Sequence, residues 1–268
     1  MVEFIFNDTH FKKFEEALAT PLDRDIPGGK KVEGFVKGCT GVSAKGMEKG
    51  TIGHDYVLKW VNSDSDIRTK CAIILAWGGM RNPDRDLLFG QEDQGWVGVA
   101  KKLQTIEITR KAAFEEFTER RRKNNLKGMG CAYFTKLIYF LQFHKNAHSA
   151  KGYIMDQWVA EAVNLLVEGP DIVKLDTSLT LKWKGRSEVR QSAETSSLVS
   201  DKNTGQDYEN FCAAIEALRN KINEERVVKL TRAQLDRALG GSSRAEDNDK
   251  WRPHVKKQRL EKMELFGN

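Results

Sequence analysis

The feature that most restricts the fold is a pair of glycines between two helix-forming segments in the middle of the chain. They are Gly128 and Gly130, within the run Leu126-Lys127-Gly128-Met129-Gly130. The segment that follows, CAYFTKLIYFLQF, is apolar on nearly all sides and predicts a buried helix. Because glycine adopts positive φ angles at no steric cost, the spacing predicts a helix, a tight hairpin and a second helix.

Such a hairpin can bind a phosphate group. Without side chains at the two glycines, backbone N–H groups at the start of the next helix can approach an anion closely. We expect Leu126 and Met129 to anchor the hairpin in the core, and Lys127 to face the charge of a DNA backbone. This contact would hold DNA without reading its sequence. The alternative is an ordinary connection between two helices with a glycine C-cap.

A second informative segment follows the hairpin and its helix. In YIMDQWVAEAVNLL, apolar residues recur at helical spacing and Asp156 stands at the expected N-cap. The carboxylate can be a structural cap, a catalytic group, or both, because the two roles are compatible.

The remaining sequence predicts a mainly helical protein. Helical patterns cover residues 8–18, 66–77, 97–123 and 207–225, whereas 80–96 is rich in turn-forming residues and 28–53 allows no assignment. The run SLTLKWK predicts a small β element. We therefore expect one domain over residues 1–240 and a charged C-terminal tail over 241–268.

Charge and cysteine content limit the partners. The formal net charge of +6 and the isoelectric point near 9.0 suit a nucleic acid partner, or simply a solvated surface. The four cysteines show no metal-ligand spacing, and His144 and His148 have no third ligand near them, so we expect no metal and no cofactor. With no signal peptide and no membrane span in the sequence, we expect a cytoplasmic protein.

Residues LKGMGCAYFTKLIYFLQ, followed by YIMDQWVAEAVNLL, resemble the helix–hairpin–helix DNA glycosylases. The resemblance is to their bacterial 8-oxoguanine-glycosylase-like branch, which includes an anti-phage enzyme acting on glucosylated hydroxymethylcytosine. It implies a two-lobed helical fold and a monomer that flips a modified base out of double-stranded DNA and excises it. The biological role would be anti-phage defence or repair of oxidised guanine.

The resemblance also implies roles for single residues. Asp156 matches the aspartate that stabilises the charged sugar and orients the nucleophile in these enzymes. The Schiff-base lysine of bifunctional members would stand at position 132, which is Ala132, so we expect a monofunctional glycosylase. Lys136 lies one turn further along the same helix face and could line the base pocket or act as a nucleophile; the alternative is a lysine paired with a carboxylate or phosphate.

Base flipping requires a side chain that fills the vacated space and a surface for the extruded base. By resemblance, Arg81 and Asn82 are candidates to enter the duplex, and together with Lys127, Gly128, Met129 and Gly130 they form the predicted DNA-binding set. The base pocket candidates are Gln157, Trp158, Tyr208 and Phe211. Aromatic residues on an amphipathic helix are more often core residues, so packing is the alternative for the last two.

Two other functions are compatible with the sequence. One is a non-catalytic DNA-binding protein with a glycosylase-like fold, and the other is a helical protein–protein scaffold in which the glycines are only structural. A pure binding protein has no need of an aspartate at position 156, which favours the enzyme.

Overall fold

The computed structural model describes residues 3–18, 28–41, 46–142, 151–183, 190–224, 226–241 and 251–266. These residues are mainly helical, as the sequence predicts, and carry one two-stranded sheet. The helices are α1 (Asp8–Leu18), α2 (Val32–Thr40), α3 (His54–Val61), α4 (Ile67–Trp77), α5 (Asn82–Gly90), α6 (Gly95–Gln104), α7 (Arg110–Arg122), α8 (Cys131–Leu141), α9 (Gln157–Leu166), α10 (Gly205–Glu224), α11 (Arg232–Gly240) and α12 (Trp251–Phe266). The strands are β1 (Leu175–Trp183) and β2 (Arg190–Val199).

The chain divides into two compact units, each assembled from separate segments. Residues 24–155 and 203–209 form one, here called the hairpin unit. Residues 1–23, 156–202 and 210–268 form the other, here called the Asp156 unit. Long-range packing places α1 and the C-terminal segment in the same unit as Asp156, so that unit extends beyond residue 240.

The hairpin unit has α4 at its centre. Asp66 caps this helix, with its side chain accepting hydrogen bonds from the Thr69 amide at 3.0 Å and the Thr69 hydroxyl at 2.6 Å. Residues 71–76 are completely buried, as expected for an apolar helix surrounded by others. At the end of this unit, the amide of Met155 donates to the hydroxyl of Thr135 on α8 at 3.1 Å.

One segment predicted as turns is a helix. Residues 82–90 form α5, with Pro83 in its first turn and Leu88 and Phe89 buried on one face. Proline fits the first turn of a helix because the N–H that it lacks would have no partner there. Residues 32–40, which the sequence left open, form α2.

The Asp156 unit combines α1, α9, residues 210–224 of α10, α11 and α12 with the antiparallel pair β1–β2, whose register joins Leu175 to Val199. The sheet confirms the predicted β element. The predicted tail is wrong for residues 251–266, which form α12, with Trp251 1% exposed and Val255 3% exposed. Burial of Trp251 and Val255 thus docks a helix that is rich in charged residues. Among the described helices, none is long and apolar enough to cross a lipid bilayer.

Candidate active site

The hairpin between α7 and α8 is fixed by its two apolar residues. Leu126 is 2% exposed and Met129 is fully buried, so both anchor the hairpin as the sequence predicts. The Arg121 guanidinium donates to the carbonyl of Met129 at 2.6 Å. Because the Met129 side chain lies in the core, only its backbone can contact DNA, which narrows its predicted role.

Gly128 brings α5 against the hairpin. Its φ is +78°, and a Cβ at this position would lie 2.1 Å from the carbonyl oxygen of Asp84. Only glycine allows this backbone conformation and this approach. The structure therefore brings the segment of Arg81 and Asn82 close to the hairpin, although the two are far apart in sequence.

Gly130 and Lys127 leave the end of the hairpin accessible. Gly130 is the N-cap of α8 in an extended conformation, with no side-chain capping hydrogen bond. A Cβ placed there would find its nearest neighbour, an Arg121 nitrogen, at 4.0 Å. The Lys127 side chain is exposed, and its amide is bonded to the Gln91 side chain at 3.3 Å. The first turn of α8 can thus receive an anion from outside, next to a lysine.

Arg81 and Asn82 are both exposed at the start of α5. The Arg81 side chain is 75% exposed and makes two hydrogen bonds to Asp84, at 2.7 and 3.1 Å. Tyr133 of α8 is close by: burial and the Asp84 carboxylate raise its pKa, while the Arg81 charge and a hydrogen bond from the Arg81 backbone oppose the shift. The predicted duplex-entering residues and the start of α8 therefore form one surface of the hairpin unit.

Lys136 is a buried lysine, as its position in an apolar helix predicts. It is 8% exposed, and its Nζ donates to the carbonyl of Ala132 at 3.0 Å and lies 5.6 Å from the centre of the Tyr133 ring. A Cβ at Gly78 would lie 2.6 Å from Lys136 Cδ, so the glycine makes room for the lysine stem. The amine therefore reaches back to the helix position where the resembled enzymes carry their lysine.

Asp156 caps α9 with one carboxylate oxygen. Its Oδ1 accepts the amides of Trp158 at 2.9 Å and Val159 at 3.1 Å. In the part of the chain that the structure describes, Oδ2 receives no hydrogen bond, and the residue is partly exposed. One oxygen fixes the side chain, and the other can accept a further hydrogen bond.

Trp158 and Gln157 are held by their neighbours. With the Gln157 amide oriented to satisfy both contacts, its nitrogen donates to the Ser197 carbonyl and its oxygen accepts from Trp158 Nε1 at 3.0 Å. The Arg252 guanidinium lies 3.8 Å from the centre of the Trp158 ring. These contacts engage the Gln157 amide, the Trp158 indole N–H and the face of the Trp158 ring that Arg252 covers.

Tyr208 and Phe211 are core residues, which corrects their predicted place in a base pocket. Both are fully buried. The Tyr208 ring stacks on Phe114 with centroids 4.7 Å apart, and its hydroxyl donates to the Tyr153 carbonyl at 2.7 Å. The core alternative therefore describes them better, because periodicity alone does not distinguish a pocket wall from a packed helix face.

Sequence reasoning missed three cations beside Trp158: Arg252, Lys256 and Arg259, all on α12. Their spacing of four and three residues is the signal that could have found them, since it places them on one helix face. This spacing indicates a cluster only if the segment is helical, and an expected tail has no helix face.

The described residues contain no group of three or more potential metal ligands. His144 and His148 lie outside the described residues. The four cysteines are buried free thiols, and burial raises the pKa of Cys39 to about 12.

Comparison with protein families gives a match that covers most of the chain. Residues 48–239 match the family described as "Putative 8-oxoguanine DNA glycosylase OGG-like protein". The matched region contains the hairpin, Lys136 and Asp156, whereas α12 lies beyond it. No curated protein and no solved structure matches the chain in the corresponding comparisons. The chain belongs to the OGG-like DNA glycosylase family.

Proposed function

We propose that this protein is a monofunctional DNA glycosylase that flips a modified base out of duplex DNA and hydrolyses its N-glycosidic bond, leaving an abasic site. The observation that carries the proposal is the Asp156 carboxylate, held by Oδ1 at the start of α9 with Oδ2 left without a hydrogen bond from the described residues. Family membership supports the same reaction.

Asp156 has the properties that the reaction requires. As the base leaves, positive charge develops on the sugar, and a fixed carboxylate stabilises it electrostatically. The same group can orient or deprotonate the attacking water. Because the cap hydrogen bonds hold the side chain before the substrate arrives, little reorganisation is needed during the reaction.

In this proposal, the hairpin binds the DNA backbone. A phosphate would accept hydrogen bonds from the first-turn amides of α8, next to Gly130, with Lys127 adding a positive charge. Arg81 and Asn82, exposed on the same unit, would enter the duplex and fill the space of the flipped nucleotide.

Water is the proposed nucleophile because Ala132 occupies the position of the usual Schiff-base lysine. The Lys136 amine lies 3.0 Å from the carbonyl of Ala132, so an amine is near that position although residue 132 is not a lysine. A lyase step by Lys136 is therefore the specific alternative to hydrolysis.

The test is a panel of duplexes that each carry one oxidised, alkylated, deaminated, hydroxymethylated or glucosylated base. The panel includes 8-oxoguanine for a repair role and glucosylated hydroxymethylcytosine for anti-phage defence. We expect the wild type to form abasic sites on at least one duplex. Asp156→Asn should lower the rate by about 100-fold or more while preserving DNA affinity, because asparagine also caps helices well.

Asp171→Asn is the matched control, since Asp171 is an aspartate of the same unit whose side chain is 46% exposed and paired with Lys262. It should release the base at the wild-type rate. DNA binding without abasic sites on any duplex would favour the non-catalytic alternative.

Borohydride trapping on the active duplex should give no covalent adduct; an adduct that Lys136→Met abolishes would establish the lyase step and overturn the monofunctional assignment.

A further inference from the structure

A cleft of about 530 Å³ lies within the Asp156 unit, lined by residues of α9, the β1–β2 sheet and α12. Clefts that bind small organic molecules have volumes of about 300–1,000 Å³, so this one is large enough to hold such a ligand. Apolar side chains from three elements line it: Leu165 of α9, Leu175 of β1, and Val255 and Met263 of α12. These segments are distant in sequence, so only the fold of this unit assembles the cleft.

One wall of the cleft holds a buried ion pair whose hydrogen bonds are incomplete. Glu161 of α9 pairs through Oε1 with Arg259 of α12 at 2.6 Å, and both side chains are less than a tenth exposed. Among the described residues, Glu161 Oε2 has no hydrogen-bond donor. A buried carboxylate oxygen without a donor costs free energy, because it has lost its water and gained no partner. The fold therefore leaves one acceptor of this wall unsatisfied.

The other charged groups of the described walls are paired and more exposed. The Lys262 amine lies 3.0 Å from the Asp171 carboxylate, and the two side chains are 59% and 46% exposed. The Glu261 carboxylate lies 3.6 Å from the Lys257 amine. Because each carboxylate already has a cation beside it, a charged ligand would lose hydration without gaining an unpaired opposite charge. The cleft therefore favours an uncharged ligand.

Uncharged polar groups of the walls are also engaged. The Asn164 side chain donates to the Val173 carbonyl at 2.7 Å and accepts the Val173 amide at 2.9 Å. The hydroxyls of Thr177 and Ser197 lie 3.0 Å apart. Glu161 Oε2 is thus a buried acceptor whose hydrogen bond a ligand in the cleft can complete.

We propose that this cleft binds a small uncharged molecule with an apolar body and an N–H or O–H group that donates to Glu161 Oε2. The apolar body would contact Leu165, Val255 and Met263. This ligand site is additional to the reaction proposed for Asp156 and does not depend on it. One wall is α12, which lies beyond the region that the family match covers.

The competing explanation is that water fills the cleft and donates to Glu161. A matched pair of ligands distinguishes the two explanations: indole and N-methylindole have nearly the same apolar body, but only indole has an N–H. A hydrogen bond to the carboxylate should make indole bind about tenfold more tightly. A cleft that holds only water gives no such preference.

The experiment titrates the full-length, methyl-labelled protein with each ligand and follows the methyl resonances by NMR. Indole should shift the signals of Leu165, Val255 and Met263. The signal of Leu235 should stay unchanged, since this residue is fully buried in the same unit but does not line the cleft. Benzylammonium and benzoate, a cation and an anion of similar size, should bind more weakly than indole.

Two variants test whether the cleft is the binding site. Glu161→Gln keeps an oxygen for Arg259 but replaces the free acceptor with an N–H donor, so the preference for indole over N-methylindole should be lost. Leu165→Trp occupies the apolar part of the cleft and should abolish the indole-induced shifts of Val255. Leu198→Trp is the matched control, since Leu198 belongs to the same unit, is 70% exposed and does not line the cleft. It should bind indole as the wild type does.

Three results on the wild type would overturn the proposal: equal affinity for indole and N-methylindole, tighter binding of either charged ligand, or no shift at the cleft up to the solubility of indole. Thermal unfolding checks that each variant is folded. If Glu161→Gln is unstable, the comparison of ligands on the wild type and the Leu165→Trp variant still decide the question. Abasic-site formation enters none of these measurements, so failure of this inference is separate from failure of the proposed function.

Discussion

At the scale of single residues, the two hairpin glycines are present for different physical reasons. Gly128 has a φ of +78° and lies against the Asp84 carbonyl, so it is required for the backbone to form. Gly130 has a φ of −86° and open space where a side chain would be, so any residue could adopt its conformation. What Gly130 provides is access to the start of α8.

Alanine substitution should separate these roles. We expect Gly128→Ala to lower the free energy of unfolding by about 2–3 kcal/mol, through the left-handed conformation and the displacement of α5. Gly130→Ala should cost at most about 1 kcal/mol and weaken DNA binding, because its methyl group would stand in the path of a phosphate. Urea denaturation and anisotropy measure the two effects. Equal loss of stability in both variants would show that Gly130 is structural as well.

At the scale of elements, α12 is the clearest difference between expectation and structure. Its sequence is rich in charged residues, yet two of its residues are buried and a histidine contacts α1. His10 Nδ1 and His254 Nε2 lie 3.1 Å apart. Such a contact needs one imidazole to donate and the other to accept, so it requires at least one neutral ring.

Docking of α12 on α1 should therefore depend on pH. Burial lowers the pKa of both histidines from 6.5, and for His254 the nearby His10, Lys13 and Lys257 lower it further while Glu261 opposes them. A group with a lowered pKa in the folded state contributes stability above its unfolded value, which is lost as the pH falls through the folded value. We expect stability to decrease below pH 6.5, in urea denaturation followed by tryptophan fluorescence.

His254→Gln tests whether the histidine pair causes this pH dependence, since it removes one of the two titrating rings. The variant should show a flatter pH dependence between neutral and mildly acidic conditions than the wild type. Parallel profiles for the two proteins would assign the pH effect to other groups.

At the scale of the whole molecule, each compact unit is assembled from segments distant in sequence. The Asp156 unit draws on three of them, including the C-terminal one. The stability of the Asp156 unit should consequently depend on the C-terminal segment, whereas that of the hairpin unit should not, because residues 210–268 belong to the Asp156 unit alone.

Truncation after residue 240 tests this organisation. Loss of α12 exposes the surfaces that bury Trp251 and Val255 and leaves Glu161 without Arg259, which together should cost at least about 3 kcal/mol. Hydrogen exchange followed by mass spectrometry should show faster exchange in α9, with α4 and α8 as the internal control. Equal acceleration in all three helices would mean that the units do not unfold separately.

The parts of this protein that the sequence determined are those specified by local chemistry. The apolar periodicity of α4 and α8, the cap at Asp156 and the glycine spacing of the hairpin each depend on residues within one or two turns of each other. Local hydrogen bonds and steric limits act regardless of what packs around them, so they can be recognised before the fold is known.

Other features were decided only by the tertiary structure, because they depend on contacts between distant segments. Burial of Leu88 and Phe89 makes a helix of a segment rich in turn-forming residues, and burial of Trp251 and Val255 does the same for a charged one. The stacking of Tyr208 on Phe114 turns a candidate pocket residue into a core residue. Composition gives the charge of α12, but only its docking on α9 places that charge against the Trp158 ring, since long-range packing is not encoded in any short stretch of sequence.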